Sequence, residues 1–233
     1  MTDYRIYNTG DAASRFTSGI VFGAAGCGKT PIAATLPSVC VLATERGLSS
    51  LASARLPVMF IDSKQDALNV FDWIRRSNEA KKFQSFYLDG ISGISETIFH
   101  EERRKSSDFR KISPNTTIAV MEIVKAFLEI EGRHCWMSCK AVNTPDSITG
   151  APFWDTHTIV KALSEALPYH FDNILMLTRL IDSATGNVSA WLTTGPDGTC
   201  RARNRLGALN LYEPPDLGAI IQKIAAHIAA QPR

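Results

Sequence analysis

Long hydrophobic runs are missing from this sequence, and so is a large net charge. No apolar run reaches the roughly 20 residues that a membrane-spanning helix needs, and the start Met1–Arg5 lacks the apolar core of a signal peptide. Lysine and arginine number 25 against 23 acidic residues, so the formal net charge is only +2. We therefore expect no membrane partner, and no overall field that would by itself attract nucleic acid.

Cysteine is also scarce, with five residues at scattered positions. An odd, scattered set does not make a disulfide framework, so we expect reduced thiols and a cytoplasmic protein. His134, Cys135 and Cys139 have poor spacing for zinc and lie in a strand-like run, which favours a buried strand over a metal site. Linkers, low-complexity segments and internal repeats are absent as well. We interpret residues 1–233 as a single domain, with 1–18 as an N-terminal arm for oligomerisation.

What the sequence does contain is a phosphate-loop pattern directly after a short apolar run. Glycines at the bends let backbone N–H groups turn inward and cradle phosphate oxygens. Lys29 supplies a cation for the β- and γ-phosphates, and the Thr30 hydroxyl is placed to bind Mg²⁺. A helix starting near Lys29 would point its positive end at the same phosphates. The sequence therefore predicts a nucleotide-binding loop formed by Gly23, Ala24, Ala25, Gly26, Cys27, Gly28, Lys29 and Thr30.

Two later apolar strands each run into an acid. Val39–Leu42 leads to Glu45, which could be the general base that activates water, or a solvated acid paired with Arg46. Phe83–Asp89 ends in Asp89, whose carboxylate is placed to hold Mg²⁺ opposite Thr30. Because the carboxyl ends of parallel strands meet at one edge of a sheet, both acids belong near the phosphate loop.

A basic run with an embedded aromatic residue lies between His100 and Lys111. Basic residues interleaved with an aromatic suit the backbone and bases of single-stranded nucleic acid, and a solvated helix face followed by a loop is the alternative. The candidate nucleic-acid ligands in this run are Arg103, Arg104, Lys105, Arg110 and Lys111.

The rest of the chain predicts helices, one long loop and a few late strands. We expect helices over Thr117–Glu131 and Thr156–Leu167, with a short one at Pro31–Leu36. The segment Ala141–Trp154 is predicted to be a long polar loop with an exposed Phe153-Trp154 pair, or with that pair docked onto the core.

The last third of the chain predicts an antiparallel β-meander. Three strand-like runs, Asn173–Ile181, Val188–Thr193 and Thr199–Arg203, are joined by connections that are short and rich in turn residues. A final helix over Asp216–Ala229 follows.

In its order of parts the chain resembles the RecA-like P-loop ATPases, and among them the compact phage ATPases of the Sak type, which are linked to single-strand annealing and recombination. The motifs that carry the resemblance are the phosphate loop, Thr44-Glu45-Arg46-Gly47, Tyr87-Leu88-Asp89-Gly90-Ile91-Ser92, Ala166–Asp172, and the tail from Arg201 to Gly218. The resemblance implies a mostly parallel sheet flanked by helices, with the antiparallel meander at its end.

The resemblance also implies roles that spacing cannot show. Glu45 falls where such ATPases keep the glutamate that activates water, and Ser138 to Lys140 fall where they sense the γ-phosphate. Arg203 and Arg205 resemble a basic pair that reaches into the nucleotide site of a neighbouring subunit. The loops after Asp89 and Lys140 match DNA-binding loops in position, which implicates the basic run together with Phe153 and Trp154.

These implications amount to a functional expectation. The cofactors are ATP and Mg²⁺, and the partners are single-stranded DNA, further copies of the chain in a ring or filament, and a single-strand-binding protein. The setting would be the host cytoplasm if a phage encodes the chain. The alternative is a nucleotide-gated assembly or loader protein that does not itself bind DNA.

Overall fold

The computed structural model describes residues 16–145 and 149–230. Most of the arm predicted over residues 1–18, through position 15, lies outside the described residues. Ten strands form one sheet in the order β10-β8-β7-β1-β5-β4-β2-β3, with β6 beside β5 and β9 beside β7. The strands are β1 (Ser18–Gly23), β2 (Val39–Ala43), β3 (Val58–Phe60), β4 (Ser85–Asp89), β5 (His134–Pro145), β6 (Pro152–His157), β7 (Asn173–Ile181), β8 (Val188–Thr193), β9 (Arg203–Asn204) and β10 (Tyr212–Glu213).

The centre of the sheet is parallel. Strand β1 pairs in parallel with β5 and β7, and β2 pairs in parallel with β3 and β4. Strands β1, β2 and β4 are buried on both faces because helices cover both. Parallel pairing brings their carboxyl ends to one edge, where Gly23 pairs with Lys140 and Ala43 pairs with Asp89.

The far side of the sheet is antiparallel, as predicted, although its last strands differ from the predicted meander. Strand β8 pairs with β7 and β10, and β9 pairs with the start of β7. The predicted third strand, Thr199–Arg203, leaves β8 because its backbone bonds to Trp154 instead: Trp154 N–H donates to the Thr199 carbonyl, and Arg201 N–H to the Trp154 carbonyl. The predicted fold class, a mostly parallel sheet with antiparallel C-terminal strands, is confirmed.

Helices pack on both faces of the sheet. One core cluster lies under the first four helices, and a second lies under the C-terminal helix and the turn after the phosphate loop. The helices are α1 (Lys64–Arg76), α2 (Ile91–Lys105), α3 (Phe109–Leu128), α4 (Lys161–Ala166) and α5 (Leu217–Ala230), with 3₁₀ helices at Pro31–Thr35, Ser49–Ala54, Glu79–Lys82 and Leu167–His170. In the part of the chain that the structure describes, no helix is both long and apolar enough to cross a membrane.

Helices α2 and α3 form a hairpin that rises beyond the carboxyl edge of the sheet. Helix α3 has 20 residues, about 30 Å. Its second half contacts α1 through Glu122 with Lys64, the Ala126 carbonyl with Arg75, and the ring of Phe127 with that of Phe71. The predicted start at Thr117 is therefore wrong. The helix begins after Asp108, whose side chain caps it by accepting from the Arg110 N–H at 3.0 Å, and it continues through Pro114.

Strands β5 and β6 form a second projection at the same edge. The predicted long loop over Ala141–Trp154 is wrong, because Lys140 to Pro145 pair in antiparallel register with His157 to Pro152. Residues exposed on both faces of this hairpin hide the period-two pattern, and the prolines and Gly150 favoured a loop. The helix predicted from Thr156 begins only at Lys161, since Thr156 belongs to β6.

The turn after the phosphate loop rests on the last helix of the chain. Thr35 Oγ1 accepts a 2.8 Å hydrogen bond from the Leu217 N–H. A Cβ added at Gly218 would lie 2.5 Å from the Thr35 carbonyl oxygen, so α5 approaches this turn more closely than a larger residue would allow.

Candidate nucleotide site

The phosphate loop leaves β1 at the carboxyl edge of the sheet. Gly26 and Gly28 have φ angles of +76° and +108°, a region that residues with a Cβ rarely adopt, so the predicted need for glycine here is confirmed. Lys29 Nζ lies 2.8 Å from the carbonyl oxygens of Gly23 and Ala24. The ammonium group thus lies over the loop and adds positive charge to the phosphate site.

The predicted helix after the loop is a single 3₁₀ segment. It covers five residues, Pro31–Thr35, with Thr30 at its N-cap. The aligned peptide dipoles of one short turn are few, so the expected attraction of phosphate to a helix N-terminus is small here. Backbone N–H groups of the loop and Lys29 are left as the main positive groups.

A cleft of about 370 Å³ opens beside the loop at the carboxyl edge. It brings together eight of the predicted residues, from the carboxyl ends of β1, β2 and β4 and from the middle of β5: Gly23, Ala25, Lys29, Thr30, Glu45, Asp89, Ser138 and Lys140. Ala24, Gly26, Cys27 and Gly28 belong to the loop but do not line this cleft, and the Cys27 side chain is buried.

Asp89 is held in place from the neighbouring strand. Ser138 Oγ donates to Asp89 Oδ1 at 2.6 Å and accepts from the Gly90 N–H at 2.8 Å. Ser138 is 2% exposed, so its hydroxyl is fixed by packing as well as by these bonds. Where the resemblance implied a γ-phosphate sensor, Ser138 thus orients the carboxylate of Asp89.

Glu45 enters the cleft at the end of β2 and is exposed. The alternative pairing of Glu45 with Arg46 is not observed, because Arg46 Nη2 lies 2.8 Å from Asp62 and its guanidinium lies over the ring of Phe60. Thr44 supports the strand end through hydrogen bonds from its Oγ1 to the carbonyls of Asp89 and Gly90.

Helix α2 approaches the Glu45 strand so closely that its first turn has no room for a side chain at Gly93. A Cβ there would lie 2.9 Å from Thr44 Oγ1 and 3.5 Å from Glu45 Oε1. A side chain at position 93 would therefore have to displace Thr44, the neighbour of Glu45.

Lys140 lines the cleft and is paired across it with helix α2. Its Nζ lies 2.5 Å from Glu96 Oε1, with both side chains partly exposed. The predicted phosphate ligand Lys140 is thus in reach of the cleft but engaged by an acid that sequence reasoning missed.

His157 and Ser92 are further cleft residues that sequence reasoning missed. His157 lies opposite Lys140 in the β5–β6 pairing, and its carbonyl accepts from Ser92 Oγ at 2.7 Å. Finding His157 required the β5–β6 hairpin, and the sequence pattern there favoured a loop. Ser92 follows the Asp89 strand within the motif quoted above, so its position in the sequence already indicated that it lies near the cleft.

The oxygen atoms in the cleft suit Mg²⁺ in the presence of a nucleotide. Mg²⁺ is held in proteins by one or two carboxylates, hydroxyls, water and substrate phosphates, and Thr30 and Asp89 line the same cleft. Among the described residues no cluster of three or more histidine, cysteine or acidic side chains forms a metal cage, so any Mg²⁺ would depend on the phosphates.

A family model described as "AAA domain" matches residues 15–206. The chain belongs to this AAA domain family. It is therefore a P-loop ATPase by family. Among the solved structures similar to the chain is a KaiC-like protein, PH0186, from the hyperthermophilic archaeon Pyrococcus horikoshii OT3, with 14% identity, a TM-score of 0.45, and coverage of 76% of this chain and 77% of that one. No curated protein matches the sequence.

In this AAA domain Arg203 and Arg205, the pair predicted to reach into a neighbouring subunit's site, lie at the amino edge of the sheet. The cleft of their own chain is at the carboxyl edge. Strand β9 pairs with Asn173 and Ile174, the start of β7, roughly 13 Å along the strands from the phosphate loop. Arg203 Nη2 donates to the carbonyls of Pro168 and Phe171 at 3.1 and 2.6 Å, and Arg205 pairs with Asp172 at 2.8 Å. Neither arginine contacts the cleft of its own chain.

The predicted nucleic-acid residues of the basic run gather at the tip of the α2–α3 hairpin. All five basic side chains are exposed, and Phe109 is 60% exposed beside Phe99. Lys105 pairs with Glu102 at 2.6 Å and Arg110 with Asp108 at 3.2 Å, which offsets part of the positive charge.

The Phe153-Trp154 pair is half-buried, so the expectation of exposure is wrong and the alternative of docking is observed. Trp154 packs against the core and hydrogen-bonds to the 199–201 segment. Asp155 beside it accepts from Arg201 Nε through both carboxylate oxygens at 2.8 Å. Trp154 therefore anchors the hairpin, and its half-buried ring is only partly accessible to a base.

The five cysteines are buried and unpaired. Burial raises the pKa of Cys135 to about 12 and those of Cys40, Cys139 and Cys200 to about 11. His134, beside Cys135, accepts the Thr17 N–H at 3.1 Å. His134, Cys135 and Cys139 lie in the buried part of β5, which agrees with the interpretation of this segment as a buried strand.

Proposed function

We propose that this P-loop ATPase hydrolyses ATP with Mg²⁺ while bound to single-stranded DNA, as an oligomeric annealing or recombination protein of phage type. The observation that carries the proposal is the common edge. The cleft, the basic tip of the α2–α3 hairpin and the β5–β6 hairpin all lie at the carboxyl edge of one parallel sheet. A single strand of DNA bound across the two hairpins would lie above the bound ATP.

The proposed chemistry divides among four side chains of the cleft. Lys29 would neutralise charge on the β- and γ-phosphates, and Thr30 and Asp89 would hold Mg²⁺. Magnesium would supply charge stabilisation for the transferring phosphoryl group. Glu45 is exposed at the cleft and free of Arg46, which suits a carboxylate that accepts a proton from attacking water.

A cation from a second copy of the chain would complete the site. Arg205 is half-exposed and held only by an exposed acid, so it can leave Asp172 at little cost. Arg203 is bound to two carbonyls of its own chain, which makes it the more structural of the pair. We therefore assign the trans contact to Arg205 first.

The first test is ATP turnover. Lys29→Ala should abolish hydrolysis, and Arg205→Ala should lower kcat by about 10³-fold while leaving ATP binding intact, as expected of an arginine finger. Arg76→Ala is the matched control, since Arg76 is an exposed arginine that likewise pairs with a surface acid, Asp72. Wild-type turnover in Arg205→Ala at concentrations where the chain self-associates would exclude Arg205 as the trans contact, and wild-type turnover in the double variant Arg203→Ala, Arg205→Ala would remove that contact from the proposal.

The second test is salt-dependent binding to an oligonucleotide. Replacing Arg103, Arg104 and Lys111 with alanine should reduce the slope of log K against log salt by about 0.7 for each cation that no longer neutralises a DNA phosphate. The control is Lys81→Ala with Lys82→Ala, exposed cations in the 3₁₀ helix before β4, at the amino edge of the sheet. No binding at low salt, with or without ATP, would favour the alternative, a nucleotide-gated loader whose basic tip contacts a protein.

A further inference from the structure

The short turn after the phosphate loop leaves one backbone acceptor without its usual partner. A phosphate loop ordinarily opens a helix, in which the carbonyl of the lysine would accept from an N–H three or four residues later. Here the Ile32 N–H donates to the Gly28 carbonyl at 3.1 Å and the Ala33 N–H to the Thr30 carbonyl at 3.2 Å. The two amides that could close a turn on the Lys29 carbonyl are therefore engaged elsewhere.

A tyrosine from the central sheet takes their place. Tyr87 Oη donates to the Lys29 carbonyl at 2.6 Å, although 58 residues separate the two positions along the chain. Tyr87 is 0% exposed and packs in the same core cluster as Ile32 and Ala33, the residues of the short turn. Its hydroxyl reaches the loop from within the core cluster that the strand and the turn share.

Tyr87 also connects the phosphate loop to the proposed metal position, because both contacts are made from strand β4. Two residues later the same strand ends in Asp89, so a single strand contacts the phosphate loop at one position and the metal position at the next inward-facing one.

We propose that Tyr87 is a positioning residue for the phosphate loop, which it fixes to the Asp89 strand in place of the missing helix. The inference rests on the proposed binding of a nucleotide at this loop. It explains how a loop followed by only five helical residues is held in one conformation. The loop cradles phosphates common to ATP and ADP, so Tyr87 should support the binding of both nucleotides equally.

The test is Tyr87→Phe, which removes the hydroxyl and keeps the ring. The matched control is Ser85→Ala on the same strand, since Ser85 is also 0% exposed and donates to a backbone carbonyl, that of Pro37, at 2.8 Å and far from the cleft. Both variants should lower the melting temperature to a similar extent. Tyr87→Phe alone should weaken ATP and ADP binding, by roughly three- to tenfold for the loss of one buried hydrogen bond.

Hydrogen exchange without nucleotide gives a second measurement that does not depend on affinity. In Tyr87→Phe the amides of residues 24–35 should exchange faster than in Ser85→Ala, while those of β2 should exchange alike in both. Equal affinities and equal exchange in the two variants would overturn the role of Tyr87. Failure of the wild type to bind ATP, or binding by Lys29→Ala as tight as wild type, would instead overturn the nucleotide site and the Tyr87 role with it.

Discussion

Ser138→Ala tests whether the carboxylate of Asp89 holds Mg²⁺. The wild-type hydroxyl donates to Asp89 Oδ1 at 2.6 Å and accepts from the Gly90 N–H at 2.8 Å. A hydrogen bond to a charged group contributes about 1.5–3 kcal/mol. Because Asp89 and Gly90 are only half-buried, water replaces part of this bonding in the variant, and we expect about 1–2 kcal/mol less stability.

The larger effect of Ser138→Ala should be on the affinity of the site for Mg²⁺. Removing a side chain that orients a metal ligand typically costs 10–100-fold in metal affinity, which at about 1.4 kcal/mol per tenfold falls within the energy of the missing bond. The Mg²⁺ concentration for half-maximal ATP hydrolysis should therefore rise by about 10–100-fold in Ser138→Ala, with kcat recovering at high Mg²⁺.

The assay is a Mg²⁺ titration of turnover at saturating ATP, with Ser138→Thr as the control that keeps a hydroxyl at this position. Ser138→Thr should stay much closer to wild type. If Ser138→Ala has the wild-type Mg²⁺ dependence, Asp89 does not need the orientation that Ser138 provides, and the assignment of Asp89 as the metal ligand loses its structural support.

Two further variants probe the cleft and the core. Gly93→Ala should lower kcat at least tenfold, since the added Cβ would meet Thr44 Oγ1 at 2.9 Å and displace Glu45; unchanged kcat would show that the approach of α2 does not set the position of Glu45. Lys223→Met should destabilise the fold by about 3–5 kcal/mol at pH 7 because it leaves the buried carboxylate of Glu213 without its cationic partner. A loss of unfolding free energy below about 1 kcal/mol, measured by urea denaturation, would contradict this. Although burial raises the pKa of Glu213, hydrogen bonds from Lys223 and the Asn210 N–H outweigh it and hold the pKa below its usual range. That stability is present above the unfolded pKa and lost as the pH falls through the folded one. The difference in unfolding free energy between wild type and Lys223→Met should therefore narrow as the pH falls below about 4.

The parts of the site that depend on local chemistry could be predicted from the sequence. Gly26 and Gly28 adopt the backbone conformations for which glycine is needed, and Lys29, Glu45 and Asp89 meet at one cleft. Strands that are buried on both faces read as apolar runs, and an acid at the end of such a run belongs at the carboxyl edge. Local pattern and overall topology agree there.

The parts of the site that depend on long-range pairing could not be predicted from the sequence. The β5–β6 hairpin mixes exposed and half-buried residues without a regular alternation, so nothing in its pattern marked it as strand, and with it His157 was missed. Pro114 masked the start of α3, where an aspartate cap and the pairing with α2 outweigh the cost of a proline in the second turn. The Glu96–Lys140 pair joins a helix to a strand end 44 residues away, a distance over which periodicity carries no information.

The packing of the turn after the phosphate loop against α5 also affects when the nucleotide site is completed during synthesis. Leu217 N–H bonds to Thr35 across 182 positions, so the loop reaches its final packing only after residue 217 has left the ribosome. A nascent chain shorter than this carries every residue of the nucleotide cleft and still lacks one of the supports beneath it. Ligand capture by ribosome-bound chains of increasing length should therefore strengthen late, when the last helix becomes available.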